Sequence, residues 1–495
     1  MSEQEQNMVH HLTEQHMEPR NILSSLKKQN PDNVSIRRDR LVELEAGKKK
    51  LSGETMNTLI TIFFFIFLHI FTTPSASYSN SIVKNLPGFH GDLPFTLETG
   101  CSTTLLSLKE TLCKTLFFRS SIHRRWPWCY CTLSFALSNR SHENQFQKFN
   151  MDKPYIRDQR NIMDQDIPAY TGFSYSKTWE TSRSSDTSLA FQCYEFLQKW
   201  LLEYPRFLNN PLYIAGISYM GIVIPVTTLE IYKGNEHGSK PQLNIKGCIC
   251  VSPLTDKFND FNSRLEFAHR LALISDDIYE SAKKTCNGNY INSNPNNIEC
   301  SNDLQRMDEC TSGLNIGNIL YPVCDPVDLN PICDKAAKTY LENWANYKDV
   351  QKALHVREGT IETWHKNNES LRYDMNKEDT VYYSYDIFSS VDYHRQLIAR
   401  NSQVLVLNGD HDMNFPYVGT ERWIKSLDLP IESPWNPWFV NNQVAGYKTT
   451  FAKNGYTLTY ATIKGAGHGV ALYKPDEALA IVDAWLSSRD YLSDL

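Results

Sequence analysis

The chain runs to 495 residues, 41% hydrophobic and 12% aromatic, enough for a large buried core. Its 50 basic and 56 acidic residues leave a net charge of −6 with the signs mixed, so no basic face is offered to nucleic acid. Twelve cysteines without one Cys-x-x-Cys pair argue for disulfides in an oxidising compartment; no metal or cofactor is expected.

Residues 1–55 are polar, end in Lys48, Lys49 and Lys50, and carry neither helical nor strand period, so they read as a disordered extension. The segment 56–77, MNTLITIFFFIFLHIFTTPSAS, sets an apolar run from Leu59 to Phe71 before the small residues Ser75, Ala76 and Ser77. That is the layout of a secretory signal, and the run is short of the roughly 20 residues a membrane span needs. Met56 is therefore read as the natural start, the chain as entering the secretory pathway, and no stable membrane anchor is expected. The remaining residues, 78–495, form the expected domain. Sequons at Asn139 (NRS) and Asn368 (NES) fit N-glycosylation; the one at Asn33 precedes the signal and is set aside.

No sustained period of 2 or 3.6 runs through 101–165, and order begins near Thr171. DTSLAFQCYEFLQKWLLEYPRF places Leu189, Phe196, Leu197, Trp200 and Leu201 on one helical face and ends near Pro205. LYIAG, LNIKGCICVSP, QVLVLNGD and YTLTYATI read as four strands, GIVIPVTTLEIYKG as the helix after the first, and KPDEALAIVDAWLSS as a closing helix with Pro475 in its first turn. Strands alternating with helices predict an α/β fold, a mostly parallel central sheet with helices on both faces. Between the second and third strands an insertion of about 255–345 holds five cysteines from Cys286 to Cys333, and reads as a disulfide-stapled lid. The loop NGNYINSNPNNIE points to Cys286 with Cys300 as its staple.

Ser218, in YIAGISYMGI, lies between a predicted strand and a predicted helix, the setting of a nucleophile elbow. A serine hydroxyl needs a base to take its proton and a third group to orient that base. In α/β-hydrolases the chain order is serine, acid, histidine. NGDHDMNFP offers Asp410 or Asp412 after the third strand, and KGAGHGV offers His468 after the fourth. Each signal alone is common; the three in order, each behind its own strand, point to an acyl-serine enzyme.

The chain resembles the plant serine carboxypeptidase-like family of α/β-hydrolases. SIVKNLPGFHGDLPFTLETG, TGFSYSKT, GISYMG, RLEFAHRLALISDDIYES, NGDHDMNFP, WNPWFVNNQVAGY and ATIKGAGHG follow its pattern over about 82–100 and 164–495. The resemblance implies a triad of Ser218, Asp412 and His468, with the backbone N–H of Tyr219 as one oxyanion donor. It implies a secreted or vacuolar glycoprotein that releases C-terminal residues from peptides or transfers acyl groups. The alternatives are an acyltransferase that uses glucose-ester donors in secondary metabolism and a catalytically impaired relative. The substrate would be a peptide or a small acyl ester. Three departures stand out. Ile217 replaces the acidic residue the family carries before the nucleophile. Met220 stands where a small residue is usual and is expected to crowd the turn. The segment of about 101–163 diverges as a shifted reading frame or misassigned exon would make it, and the family's GGPG, source of a second oxyanion donor, is missing from a chain with no Gly-Gly. Since a lid cysteine of the family pairs into that GGPG stretch, one lid cysteine is expected to be left free or to pair with Cys101, Cys113, Cys129 or Cys131.

Overall fold

The computed structural model describes residues 81–87, 93, 97–107, 110–119, 132–137, 161–169, 171–176, 184–324, 334–364 and 383–487. The chain divides into units Met1–Ser77 and Tyr78–Leu495, and every described residue lies in the second. The extension, the signal segment and both sequons, at Asn139 and Asn368, lie outside the described residues.

The strands are β1 Ser81–Val83, β2 Leu97–Ser107, β3 Glu110–Arg119, β4 Thr132–Leu137, β5 Asn161–Asp166, β6 Tyr175–Ser176, β7 Ser184–Ser185, β8 Leu212–Ile217, β9 Ile245–Val251, β10 Tyr383–Ser384, β11 Gln403–Gly409, β12 Ile431–Val440, β13 Gln443–Lys453 and β14 Tyr456–Ile463. One sheet runs β1-β2-β3-β5-β4-β8-β9-β11-β14-β13-β12, with β6 beside β3; β7 and β10 form a separate parallel pair. The four middle strands, β8, β9, β11 and β14, are parallel. Both flanks are antiparallel: β1 to β5 on one side, β13 and β12 on the other.

Alternation along the middle strands divides the core in two. Val404 and Val406 of β11, with Cys248 and Cys250 of β9, pack under α1 (Asp186–Glu203) and α2 (Met220–Glu236). Leu405, Leu407 and Ile249 point the other way, onto Ile481 and Trp485 of the closing helix Pro475–Ser487. Every position on the predicted face of α1 is buried, and Ser185 caps that helix by accepting from the Ser188 N–H. Edge strand β12 carries Pro434 and Pro437, tolerable because one side of an edge strand makes no ladder bonds.

Among the described residues, the chain between β9 and β11 carries the helices α3 Lys257–Arg270, α4 Asp276–Cys286, α5 Ile298–Thr311, α6 Asp334–Asn346 and α7 Lys348–Ala353, ahead of β10 and the helix Val391–Ile398. A disulfide joins Cys286 at the end of α4 to Cys300 in α5. Cys324 is also disulfide-bonded, whereas Cys310 is free and exposed.

Candidate active site

β8 ends at Ile217 and α2 begins at Met220, so Ser218 makes the turn, with φ +63°. A left-handed backbone at a serine costs on the order of 1–3 kcal/mol and persists only where its surroundings fix it. Here the Ser218 N–H donates to the Val251 carbonyl at 3.0 Å, while its own carbonyl accepts from Gly221 N at 3.0 Å and Leu254 N at 2.9 Å. A Cβ on Gly221 would stand 2.5 Å from the Leu254 oxygen, so glycine is required there. The expected crowding by Met220 does not arise. Met220 is buried in the main core and lies over Gly216, where a Cβ would come within 2.8 Å of it. The room the side chain needs is supplied by the missing Cβ. The Tyr219 N–H, at the N-terminus of α2, donates to no acceptor among the described residues.

Asp412 follows β11 and is fully buried; His468 follows β14 and is 8% exposed. His468 Nδ1 lies 2.8 Å from Asp412 Oδ2. A carboxylate only accepts, so Nδ1 carries the proton and Nε2 is left as the basic nitrogen. The other oxygen, Asp412 Oδ1, accepts from Asn414 N at 2.8 Å and Phe415 N at 3.3 Å. Asp410 is committed elsewhere, to His411 Nδ1 at 2.6 Å and Gly465 N at 2.7 Å. Of the two aspartates, Asp412 alone bonds His468. The Ser218 hydroxyl makes no hydrogen bond among the described residues.

The surroundings add groups that the local sequence does not single out. Arg264 Nε and Nη2 donate to the Asn414 carbonyl at 3.2 and 2.9 Å, beside Asp412. Burial pushes the Arg264 guanidinium down, and the Asp412 charge works against that. Phe415 packs on the His468 ring at 5.5 Å and on Phe261 at 5.6 Å. On the nucleophile side, fully buried Asp186 accepts from the hydroxyls of Tyr219 at 2.5 Å and Tyr383 at 2.8 Å, and from Ile387 N at 3.0 Å. Burial, then that carboxylate, pushes both phenols far up. The Lys257 ammonium sits over the Tyr385, Phe388 and Tyr219 rings at 4.4, 5.1 and 5.7 Å. These contacts span 33 to 201 residues of chain, so no short motif announces them.

Among the described residues no helix is long and apolar enough to cross a membrane. The divergent segment contributes strands β2 to β5, β4 pairing directly with β8.

The family model described as serine carboxypeptidase matches residues 157–488. Serine carboxypeptidase-like 17 of Arabidopsis thaliana is 40% identical over 428 residues, covering 83% of this chain and 94% of that protein. Serine carboxypeptidase-like 16 of the same plant is 38% identical over the same shares, and serine carboxypeptidase-like 2 is 35% identical over 89% of this chain and 99% of its own. Among solved structures, KEX1(delta)p, a prohormone-processing carboxypeptidase from Saccharomyces cerevisiae, superposes with a TM-score of 0.57 over 79% of this chain and 92% of that one. At 16% identity that likeness speaks for the fold.

Proposed function

The chain belongs to the serine carboxypeptidase family, a serine carboxypeptidase-like enzyme, and from that premise we propose that Ser218, His468 and Asp412 are its nucleophile, base and orienting acid. The observation that carries the reading is the 2.8 Å bond from His468 Nδ1 to buried Asp412, with Ser218 held on a left-handed elbow. Ser218 Oγ attacks the acyl carbon while its proton passes to His468 Nε2. Asp412 stabilises the imidazolium, and the Tyr219 N–H takes the oxyanion. The tetrahedral intermediate collapses, His468 protonates the leaving group, and an acyl-Ser218 ester remains. Water then completes hydrolysis, releasing a C-terminal residue when the substrate is a peptide; an alcohol would complete a transfer.

One observation favours transfer as the second reading. Ile217, at the end of β8, offers no carboxyl to share a proton with a peptide's terminal carboxylate. A small acyl ester, a glucose ester included, needs no such clamp. The signal-like segment at 56–77 supports passage into the secretory pathway, with the vacuole or the cell exterior as destination.

A fluorophosphonate probe tests the core of the proposal. The wild type should be labelled at Ser218 and the Ser218→Ala variant left unlabelled. Equal labelling of the two would overturn the assignment.

A further inference from the structure

The lid does more than flank the triad; part of it runs between the two loops that carry the acid and the base. At 315–319 the chain leaves α5 and makes a tight turn. Asn315 Oδ1 accepts from Gly317 N at 3.0 Å and Asn318 N at 3.4 Å, and the Asn315 carbonyl accepts from Asn318 N at 3.0 Å. From that turn three backbone bonds reach out. The Gly317 carbonyl accepts the N–H of His468 itself at 2.6 Å; the Ile316 carbonyl accepts from Met413 N at 2.9 Å; and Ile319 N donates to the His411 carbonyl at 3.2 Å. The turn thus grips the residues on either side of Asp412 and the backbone of its histidine partner. The fit is close. A Cβ on Gly467 would stand 2.2 Å from the Gly317 oxygen and 2.4 Å from Asn318 Cβ. Asn318 is fully buried, with its amide nitrogen unpartnered among the described residues. Further along, Tyr321 packs edge-on against Tyr473, five residues past His468, at 4.8 Å.

We infer that the 315–319 turn is a positioning element for the triad, with Asn315 as the positioning residue that shapes it. The inference rests on the reading of Ser218, His468 and Asp412 as that triad. Asn315 touches no reacting atom. Its side-chain oxygen holds the Gly317 carbonyl where it fixes His468, and the bonds to Met413 and His411 keep Asp412 in register with the ring. Displacing this turn should slow the chemistry while leaving whatever contacts bind substrate elsewhere in the cleft.

The experiment compares Asn315→Ala, Asn315→Asp and Gly467→Ala in the full chain, by two readouts. One is the rate of fluorophosphonate labelling at Ser218. The other is the downfield proton resonance of the His468–Asp412 bond, which needs no turnover. Misplacing a catalytic group by about 1 Å costs about 10²-fold, so Asn315→Ala is expected to label about ten- to a hundredfold more slowly. The same variant should broaden or lose the downfield proton. Asn315→Asp keeps the acceptor oxygen and should restore both signals. Gly467→Ala, which pushes the turn away, should behave like Asn315→Ala or worse. Wild-type labelling and an intact downfield proton in Asn315→Ala would overturn the inference. So would an Asn315→Asp variant as impaired as the alanine, or a wild type lacking the proton. A wild type that is never labelled, but whose proton is lost in Asn315→Ala, would sink the nucleophile assignment and leave the positioning role standing.

Discussion

The parallel centre of the sheet, β8-β9-β11-β14, and its antiparallel wing, β1 to β5, differ in what they bury and in what they carry. The centre is covered on both faces, so Val404, Leu405, Val406 and Leu407 in succession are all buried. In the wing, neighbouring residues of β1 part company: Val83 is buried, Ile82 is 58% exposed. Ser218, Asp412 and His468 each follow the carboxyl end of a central strand, which brings them to one edge of the sheet. The wing supplies none of them. A chain can therefore carry a divergent stretch across β2 to β5 and keep the Asp412–His468 bond formed, because its two loops follow parallel strands far along the sequence.

The sharpest way to test that separation is through charge. Asp412→Asn removes the acceptor that holds the His468 Nδ1–H, so the wrong tautomer is favoured. The loss in kcat is expected to be about 10⁴-fold, by analogy with the same change in other triads. Asp410→Asn, two residues away and bonded to His411 and Gly465, should lose far less. Glu98→Gln on β2, the same kind of change in the wing, should leave kcat where it was. Steady-state kinetics on the three variants, or labelling rates until a substrate is in hand, decide it. A large loss for Glu98→Gln would break the comparison.

Packing gives the next effect. Leu405→Ala, in the middle of β11, should cost about 2–5 kcal/mol of stability because the side chain is fully buried between the sheet and the closing helix. Ile82→Ala in the wing should stay within about 0.5 kcal/mol. Denaturant melts of both variants check this, and a cost at Ile82 near that at Leu405 would mean the wing is covered on both faces.

The same contrast accounts for what could be read in advance. LYIAG and QVLVLNG announce themselves as strands because burial on both faces demands unbroken apolar runs. The Leu189, Phe196, Leu197, Trp200 and Leu201 stripe announces α1 for the corresponding helical reason. The wing strands LETGCSTTLLS and ETLCKTLFFR mix threonine, glycine and charge, and give no period to read. β12 hides behind Pro434 and Pro437, which only an edge strand allows. In the site, Ser218, His468 and the two candidate aspartates were legible because each stands in a short motif after its own strand; the structure pairs Asp412 with His468. Asp186, Arg264 and the 315–319 turn were not legible, since each acts through partners that the fold, and not the neighbouring sequence, delivers.

The smallest expected effect lies in the helical layer over the parallel centre. His394, on the helix Val391–Ile398, is fully buried, stacks on Trp423 at 4.7 Å, and has no partner for either ring nitrogen among the described residues. Burial holds it down at about 4, from an ordinary 6.5. Above pH 6.5 neither the folded nor the unfolded chain binds the proton. Between 6.5 and 4 the unfolded chain binds it and the folded one does not, so stability falls as the pH falls through that window. At pH 5 the loss is about 2 kcal/mol, taking about 1.36 kcal/mol for each of the roughly 1.5 units below 6.5. Asp260, in α3, acts in the opposite sense. Burial raises it to about 7 against the Thr255 and Asp256 N–H groups, so its share of stability is lost as the pH rises from 3.8 towards 7. That share is present with or without His394 and cancels in a comparison. His394→Phe keeps a ring to stack on Trp423 and removes the titration. Relative to the wild type, its unfolding free energy should therefore improve by about 2 kcal/mol between pH 7 and pH 5. Denaturant melts at the two pH values measure it. Parallel pH dependences in the two proteins would mean that His394 takes up its proton in the folded state, and that the layer over the centre admits water where the packing closes it.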